Sequence, residues 1–528
     1  MNNYHVSVFA AATAVLASLP SAAETNYWIS GGGNLSVAAN WSLGAPVAGQ
    51  SLCFTNPASY AVTNSTYTGI NAGLIFEATG GTVTYVGTAN RGTDHGEVIV
   101  GCSYGSTATV AMVSGAISAP YARVIVGNQG RGHLTMSGLS TSISTYYDVL
   151  IGANSSNNTL TIRDGARLLK QGSTALKVGQ YGSGNTLTVA DGGTVTNQAY
   201  FYIGANTGAR SNTVTVSGSG AILSLNGINI NSVGDFGDYS TLVVSNQGAV
   251  IVTAGANGLT IGRYSLSNRA LVTGTGSVLN CASNLTVASY DGNRLDIRDG
   301  GRVSAGGRLQ IKGAASSSWI SVAEPGSALQ AGAIDVGTGS SAALLRVADG
   351  GAAQSPDIVV GRSGAANNRI EVDGGALLVT NAAVSARLDV VCGTVVLTNG
   401  AVLVADRLFA TNTAAAYCRV TAALGGEPAG IELTSPDPAA LALGGPGALT
   451  LVFGADPAEP LEDFWGLRMP GNQAAFLNGL VGDGRLVCQT AALSASSRAG
   501  FGVFHDAAAD VTFVGVRKRV EGTVWSIR

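Results

Sequence analysis

Five aspartates recur at one point of a repeated pattern, and their carboxylates are the first candidates for chemistry in this chain. Each is followed by glycine: Asp164, Asp191, Asp299, Asp349 and Asp373. Glycosidases work with two neighbouring carboxylates, and polysaccharide lyases combine carboxylates with Arg, Lys or Ca²⁺. An Asp-Gly step at the end of a short strand also favours a bend for purely local reasons. The fixed place of the aspartates in the pattern favours the turn role over catalysis.

The other residue types that carry catalysis or bind metals are scattered. His95, His133 and His505 lack the Ser or Cys neighbour that a catalytic triad requires. The six cysteines form no CxxC pair and no Cys/His cluster, so a zinc site is unsupported. Glycine-rich stretches lack the lysine of a phosphate-binding loop. The sequence therefore predicts no catalytic, cofactor-binding or metal-ligating residue and no cofactor.

Composition excludes several partner classes. Of the 528 residues 11% are charged, less than half the usual ~25%, while 46% are hydrophobic, which is enough to form a core. The net charge is −3 and the basic residues form no stripe apart from Arg517-Lys518-Arg519, so nucleic-acid binding is not expected. Ser, Thr, Asn and Gly must then cover the surface, as on extracellular bacterial β-proteins.

The N-terminus has the features of an export sequence. An apolar run from Val6 to Leu19 is followed by Pro20 and by the small residues Ser21-Ala22-Ala23, which predicts a signal peptide over residues 1–23. A buried N-terminal helix is the alternative. The run is too short to cross a bilayer, and no later stretch reaches the length of a spanning helix, so the mature chain is expected to have no membrane span.

Internal repetition is the strongest feature of the sequence. An apolar pair closed by glycine, as in Val149-Leu-Ile-Gly152, precedes an alternating strand with a turn, as in Leu160-Thr-Ile-Arg-Asp164, and a weaker third strand follows. Three short strands in the same order every ~25 residues cannot pair within one repeat, but stacking the repeats pairs every strand and joins the apolar residues into one core. We predict an all-β, right-handed parallel β-helix (a β-solenoid) of about 12 coils over residues 96–422.

One asparagine column supports this stacking. Asparagines stand two residues before the first apolar residue of the alternating strand in six repeats: Asn158, Asn185, Asn212, Asn268, Asn293 and Asn368. Their side chains can form hydrogen bonds along the column and to the turn backbone. We therefore predict a structural ladder of asparagines, although asparagine also favours turns in isolation.

The two ends differ from the repeats. Residues 24–95 contain Tyr27-Trp28, three glycines, Asn34 and then Ala39-Asn40-Trp41-Ser42. This segment predicts an N-terminal cap in which Trp28 and Trp41 cover the first coil rather than stack on a sugar. This opening and the coils that follow resemble the autotransporter-associated β-strand repeat family, passenger-like secreted proteins. Residues 423–528 predict a C-terminal β cap or small β domain, too short for the membrane barrel of that family.

The function predicted from these features is that of a non-enzymatic, secreted or cell-surface rod, adhesin-like in its contacts. Its expected partners are an extracellular glycan, a matrix component or another cell-surface protein, bound by shape and hydrogen bonding. The rival interpretation is a carbohydrate-active enzyme, a polysaccharide lyase or glycosidase, or a glycan-binding protein on the same fold. An enzyme should bring two or more acidic residues and an arginine together in a groove, which only a structure can test.

Overall fold

A computed structural model of the chain describes residues 23–65, 71–87, 93–227, 229–253, 258–313, 317–339, 342–362, 367–411, 418–424, 430–446, 448–453, 464–490 and 499–518. The chain coils into a parallel β-solenoid of about 14 turns, which confirms the predicted fold class and extends it beyond the expected coils. The predicted signal peptide lies almost wholly outside the described residues. At ~4.8 Å between neighbouring strands, the longest ladder, which has 18 parallel strands within the described residues, is roughly 80 Å long.

Each full coil presents three faces to solvent, and each face is a ladder of parallel strands. Face 1 carries the alternating strands Gly33–Asn34, Tyr60–Asn64, Thr82–Gly87, Thr107–Ser114, Arg131–Ser137, Thr159–Arg163, Thr186–Ala190, Thr213–Ser217, Thr241–Ser245, Arg269–Thr273, Arg294–Arg298, Trp319–Ala323, Leu344–Ala348, Asn368–Asp373, Gly393–Thr398, Cys418–Leu424, Leu449–Phe453 and Leu486–Thr490.

Face 2 carries Ala116–Ala119, Ser142–Thr145, Arg167–Lys170, Thr194–Asn197, Ile222–Leu225, Ala249–Val252, Val278–Cys281, Ala352–Gln354, Ala376–Val379, Val402–Ala405 and Gly430–Leu433. Face 3 carries Thr25–Trp28, Ser51–Phe54, Asn71–Phe76, Thr93–Val100, Val124–Val126, Val149–Ile151, Leu176–Val178, Phe201–Ile203, Asn231–Val233, Leu259–Ile261, Leu285–Ser289, Asp357–Val360, Arg387–Val390, Arg407–Ala410 and Leu441–Leu443. The long strands Arg302–Gly313 and Ala328–Thr338 run from face 2 into face 3.

The apolar core is built from inward-facing side chains that occupy the same position in successive coils of face 1. Leu160 pairs with Leu187 and Leu187 with Val214, so the three side chains lie above one another as predicted. Each is at most 1% exposed, and together with the inward residues of the other faces they form one continuous apolar core. Alternating strands therefore bury every second side chain because each coil supplies the backbone partner of the next.

Four of the five aspartates of the repeated pattern lie in turns between face 1 and face 2, whereas Asp373 is the last residue of the strand Asn368–Asp373. Asp164, Asp191, Asp299 and Asp349 have positive φ angles of 43° to 55°, and each is followed by a glycine with a φ angle of 80° to 83°. Two consecutive positive φ angles are the backbone of a type I′ turn, in which Asp-Gly is favoured. The local requirement of the bend thus explains why aspartate recurs there.

Both ladders continue beyond the repeat region defined by the sequence. Thr25–Trp28 pairs in parallel with Ser51–Phe54, and that strand pairs with Asn71–Phe76, in coils whose described residues form no face 2 strand. At the other end Phe464–Pro470, Val511–Lys518 and Ala499–Asp506 form an antiparallel sheet. The helix Ala474–Gly482 lies beside this sheet, and short 3-10 turns occupy Ala38–Asn40 and Pro438–Ala440. The antiparallel strands end the parallel pairing of the rod.

Candidate functional site

The six predicted ladder asparagines lie at the corner between face 3 and face 1, and all are fully buried. Asn158 donates from its backbone N and its Nδ2 to Asn185 Oδ1 at 3.0 and 2.6 Å. Asn185 does the same to Asn212 Oδ1 at 2.9 and 3.0 Å, and Asn268 to Asn293 Oδ1 at 2.9 and 3.0 Å. Each side-chain oxygen thus accepts the corner amide of the preceding coil.

The structure divides these asparagines into separate runs. Ser240 stands between Asn212 and Asn268, and its backbone N donates to Asn268 Oδ1 at 2.8 Å. Asn212 Nδ2 is buried and lacks a hydrogen-bond partner, because the rung beyond it offers no amide oxygen. Asn368 lies apart from the others and accepts a hydrogen bond from the backbone N of Ala343 at 3.1 Å.

The ladder also explains the closing glycine of the apolar pair in each coil that precedes a ladder asparagine. A Cβ atom on Gly152 would lie 2.3 Å from the amide of Asn185 in the next coil, and the same holds for Gly179 and Asn212 at 2.1 Å. Where the ladder position holds Ser318, the glycine position one coil earlier holds Ala288. The asparagine therefore occupies the space that any larger residue at the glycine position would need. Sequence reasoning found both columns but missed their contact.

Trp28 and Trp41 lie at the N-terminal end of the core with exposures of 1% and 3%. Their ring centroids are 5.1 Å apart at 88°, and Phe54 packs against both at 5.7 and 5.4 Å. Trp41 Nε1 donates to the carbonyl of Leu35 at 2.8 Å, whereas Trp28 Nε1 is buried and lacks a hydrogen-bond partner. Rings buried in this way offer no face to a sugar.

The outer side of face 3 carries charged residues that sequence reasoning did not single out. We call them the ion-pair patch: Arg308, Asp335, Asp357, Arg362, Arg387 and Asp389. Asp335 occupies the outward position between Ile334 and Val336. A charged residue inside an apolar pair was visible in the sequence and was the available indication of this patch.

Asp335 is the centre of the ion-pair patch. Its carboxylate is 2% exposed and accepts two hydrogen bonds from Arg308 Nη1, both at 2.8 Å, while Arg362 contacts Oδ1 at 3.0 Å. Gln310 Nε2 donates to Oδ2 at 3.3 Å. Both arginines lie 27 residues from Asp335, one on each neighbouring coil. A carboxylate with both oxygens engaged in this way forms a structural ion pair.

Asp389 is the carboxylate of the ion-pair patch with a perturbed acidity. Burial raises its pKa, Arg387 opposes that change, and the carboxylate of Asp357 adds to it. Arg387 Nη2 lies 3.5 Å from Asp389 Oδ2, and Arg362 Nη2 lies 3.9 Å from Asp357 Oδ2. Two acidic side chains and two arginines are thus brought together on one face, which is the arrangement that the enzyme interpretation requires.

Lys170 is a fully buried cation in the turn between face 2 and face 3. Its Nζ donates to the carbonyls of Tyr146 and Gly172 at 3.4 and 3.3 Å, and also to that of Gln171. Burial lowers its pKa to about 8, partly offset by Asp148. The ammonium group therefore satisfies turn carbonyls that the bend leaves without backbone donors.

Burial shifts the pKa of two cysteines and of one histidine elsewhere in the chain. Burial raises the pKa of Cys53 to about 12, with a further contribution from Glu77, and it raises the pKa of Cys488 to about 12 as well. Burial lowers the pKa of His133, and Arg131 lowers it further. Thiols with such values stay protonated at neutral pH and are poor nucleophiles.

The described part of the chain contains no metal-binding cluster and no membrane-spanning helix. No three His, Cys, Asp or Glu side chains come together there in a way that could hold a metal ion. No helix in the same ranges has the length and apolar character needed to cross a membrane.

Comparisons with known proteins give one structural likeness. No protein-family model matches the chain, and no curated protein matches its sequence. A crystal structure of a TibA fragment hyper-glycosylated by TibC aligns with 18% identity over 66% of this chain and 98% of that chain, with a TM-score of 0.25. An alignment with so low a score carries no argument about function.

Proposed function

We propose that this chain is a non-enzymatic, secreted or cell-surface rod with adhesin-like contacts. The observation that carries the proposal is the parallel stacking of coils about one continuous apolar core. Such a rod holds its outward Ser, Thr, Asn and Tyr side chains in fixed rows, so that it can contact a partner along its length without turnover.

Export and partners belong to the same proposal. The apolar run from Val6 to Leu19 with its small-residue cleavage site supports export through a signal peptide. The resemblance of the repeats to autotransporter-associated β-strand repeats supports a place outside the cell. An extracellular glycan, a matrix component or another cell-surface protein is the partner that such a surface would meet.

A carbohydrate-active enzyme is the second candidate, and the ion-pair patch is the observation that favours it. Asp357 and Asp389 lie near two arginines on one face, and burial raises the pKa of Asp389. A raised pKa suits a general acid. Asp335, by contrast, has both oxygens bound by arginine and is not suited to proton transfer.

Turnover separates the two candidates. The full chain should release no new reducing ends and no unsaturated products from neutral or anionic polysaccharides. Asp389→Asn tests the ion-pair patch, and Asp164→Asn is its control, because Asp164 lies in a turn with its side chain 52% exposed. Product that appears with the native chain and with Asp164→Asn, but is lost in Asp389→Asn, would replace the rod proposal with an enzyme.

A further inference from the structure

Five large apolar side chains lie exposed at one corner of the rod, between face 3 and face 1 on three successive coils. We call them the aromatic ridge: Phe236, Tyr239, Tyr264, Leu266 and Tyr290. Their exposed fractions are 43%, 54%, 46%, 41% and 44%, respectively. Exposed apolar side chains are unremarkable when single, but a contiguous group of them marks an interaction site.

The backbone beneath the aromatic ridge is held from coil to coil. The backbone N of Phe236 donates to Gly204 O at 3.2 Å, that of Tyr264 to Asp235 O at 2.9 Å, and that of Tyr239 to Leu266 O at 3.1 Å. Tyr and Phe lose little side-chain freedom on contact because they have only two χ angles. The ridge is therefore already ordered before a ligand arrives.

The orientation of the rings decides which part of them a ligand meets. The centroids of Phe236 and Tyr264 are 4.9 Å apart at an interplanar angle of 22°, close to the ~4.8 Å that separates successive coils. Phe236 and Tyr264 thus cover one face of each other, and ring edges are among the parts that remain exposed. Ring edges carry partial positive charge, so they attract electron-rich oxygens, and each tyrosine adds a hydroxyl group.

The aromatic ridge is smaller than one side of a stable protein interface. Four aromatic side chains of roughly 200 Å² each and one leucine, exposed by a little under half, present roughly 400 Å². One side of a stable protein interface buries roughly 800 Å². The ridge therefore matches a small or narrow ligand.

The cations beside the aromatic ridge are paired with carboxylates. Arg263 Nη1 lies 3.2 Å from Asp235 Oδ1, and its guanidinium lies 4.7 Å from the ring centroid of Tyr264. Arg210 Nε lies 3.5 Å from Asp238 Oδ2. The exposed Asp291 beside Tyr290 adds a negative charge, so the ridge disfavours an anionic ligand and a neutral ligand fits it.

We propose that the aromatic ridge binds a neutral oligosaccharide. The hydroxyl oxygens of a sugar match the positive ring edges, its hydroxyl groups pair with the tyrosine hydroxyls, and its apolar C–H groups match the side chain of Leu266. The inference rests on the proposed function, a rod that binds without turnover, and it names the binding face and the ligand class.

Calorimetric titration of the full chain with neutral hexasaccharides tests the inference. The probes are cellohexaose, chitohexaose, maltohexaose and xylohexaose, and a hexamer of galacturonic acid serves as the charged comparison. At least one neutral probe should bind. Tyr264→Ala and Tyr290→Ser should each weaken that binding at least tenfold, while Tyr121→Ala, at a different corner and 85% exposed, should leave it unchanged.

Several results would overturn the inference. These are the absence of binding by all neutral probes, preference for the galacturonic acid hexamer, or equal affinity in the ridge variants and the Tyr121→Ala control. Binding of a protein at the ridge with no saccharide bound would also overturn it. Tyr290→Ser changes an exposed side chain, and an unchanged circular dichroism melt shows that lost binding reflects the ridge. New reducing ends would instead overturn the rod proposal itself.

Discussion

The contact between the closing glycine and the ladder asparagine predicts that Gly152→Ala is far more damaging than an ordinary glycine substitution. Gly152 has a φ angle of 77°, and a Cβ atom there would lie 2.3 Å from the side-chain amide of Asn185. Gly105 provides a matched control, since its φ angle is 79° and a Cβ atom there would meet nothing within 4 Å.

The two substitutions share one cost and differ in two others. A left-handed backbone costs an L-residue about 1–2 kcal/mol, which applies to both. In Gly152→Ala the Asn185 side chain must move, and overpacking of this kind costs about 1–3 kcal/mol. Displacing Asn185 also leaves the buried backbone N of Asn158 without its acceptor, at about 1–3 kcal/mol. We expect Gly152→Ala to lose about 4 kcal/mol or more and Gly105→Ala about 1 kcal/mol.

Guanidinium unfolding followed by far-ultraviolet circular dichroism measures these losses. Because coils of a solenoid can unfold separately, hydrogen exchange at the Asn158 amide should locate the effect in the ladder. The double variant Gly152→Ala/Asn185→Gly should recover the overpacking cost, which gives a coupling energy of about 1–3 kcal/mol.

Equal losses for Gly152→Ala and Gly105→Ala would refute this reasoning, because they would show that the asparagine does not limit the space at the glycine. A coupling energy near zero in the double variant would refute it independently. Faster exchange spread evenly over all coils would also contradict a local cause.

Three further outcomes follow from the buried polar groups. Asp335→Asn should lower the free energy of unfolding by about 3 kcal/mol because it leaves Arg308 and Arg362 without their buried partner. The control Asp164→Asn should change it by less than about 0.5 kcal/mol. Equal losses for the two variants in chemical denaturation would contradict a structural role for the Asp335 ion pairs. The folded pKa of Lys170 is about 8, below its ordinary 10.5. Because the unfolded state binds more protons between these values, the free energy of unfolding should rise with pH across that window, by about 3 kcal/mol relative to Lys170→Leu. A flat difference between the pH profiles of the two proteins would show that Lys170 is not buried as a cation. Trp28→Phe removes a buried N–H that has no acceptor, whereas Trp41→Phe removes a hydrogen bond to the carbonyl of Leu35. Trp41→Phe should therefore lower the free energy of unfolding by about 1 kcal/mol more than Trp28→Phe. The reverse order in denaturant titrations would contradict the geometry of the cap.

The spacing of the repeats and the alternation of apolar residues within each strand determine the architecture from the sequence alone. Leu160, Leu187 and Val214 are separated by 27 residues each time, and alternation within each strand already specifies that they face the same side. An Asp-Gly step specifies its own turn, and a buried asparagine column follows from constant spacing. These features depend on neighbours in the chain, so the sequence alone predicts them.

Only the tertiary structure decided which outward residues meet. Gln310 and Val359 are the residues paired directly with Asp335 on the two neighbouring coils. Arg308 and Arg362 join the cluster because their long side chains reach the carboxylate diagonally from those coils. Phe236 and Tyr264 stack because their loops happen to align. The antiparallel strands and the helix Ala474–Gly482 at the C-terminal end likewise depend on contacts with the last coils. Outward positions carry no constraint from the core, so their partners are set by stacking alone.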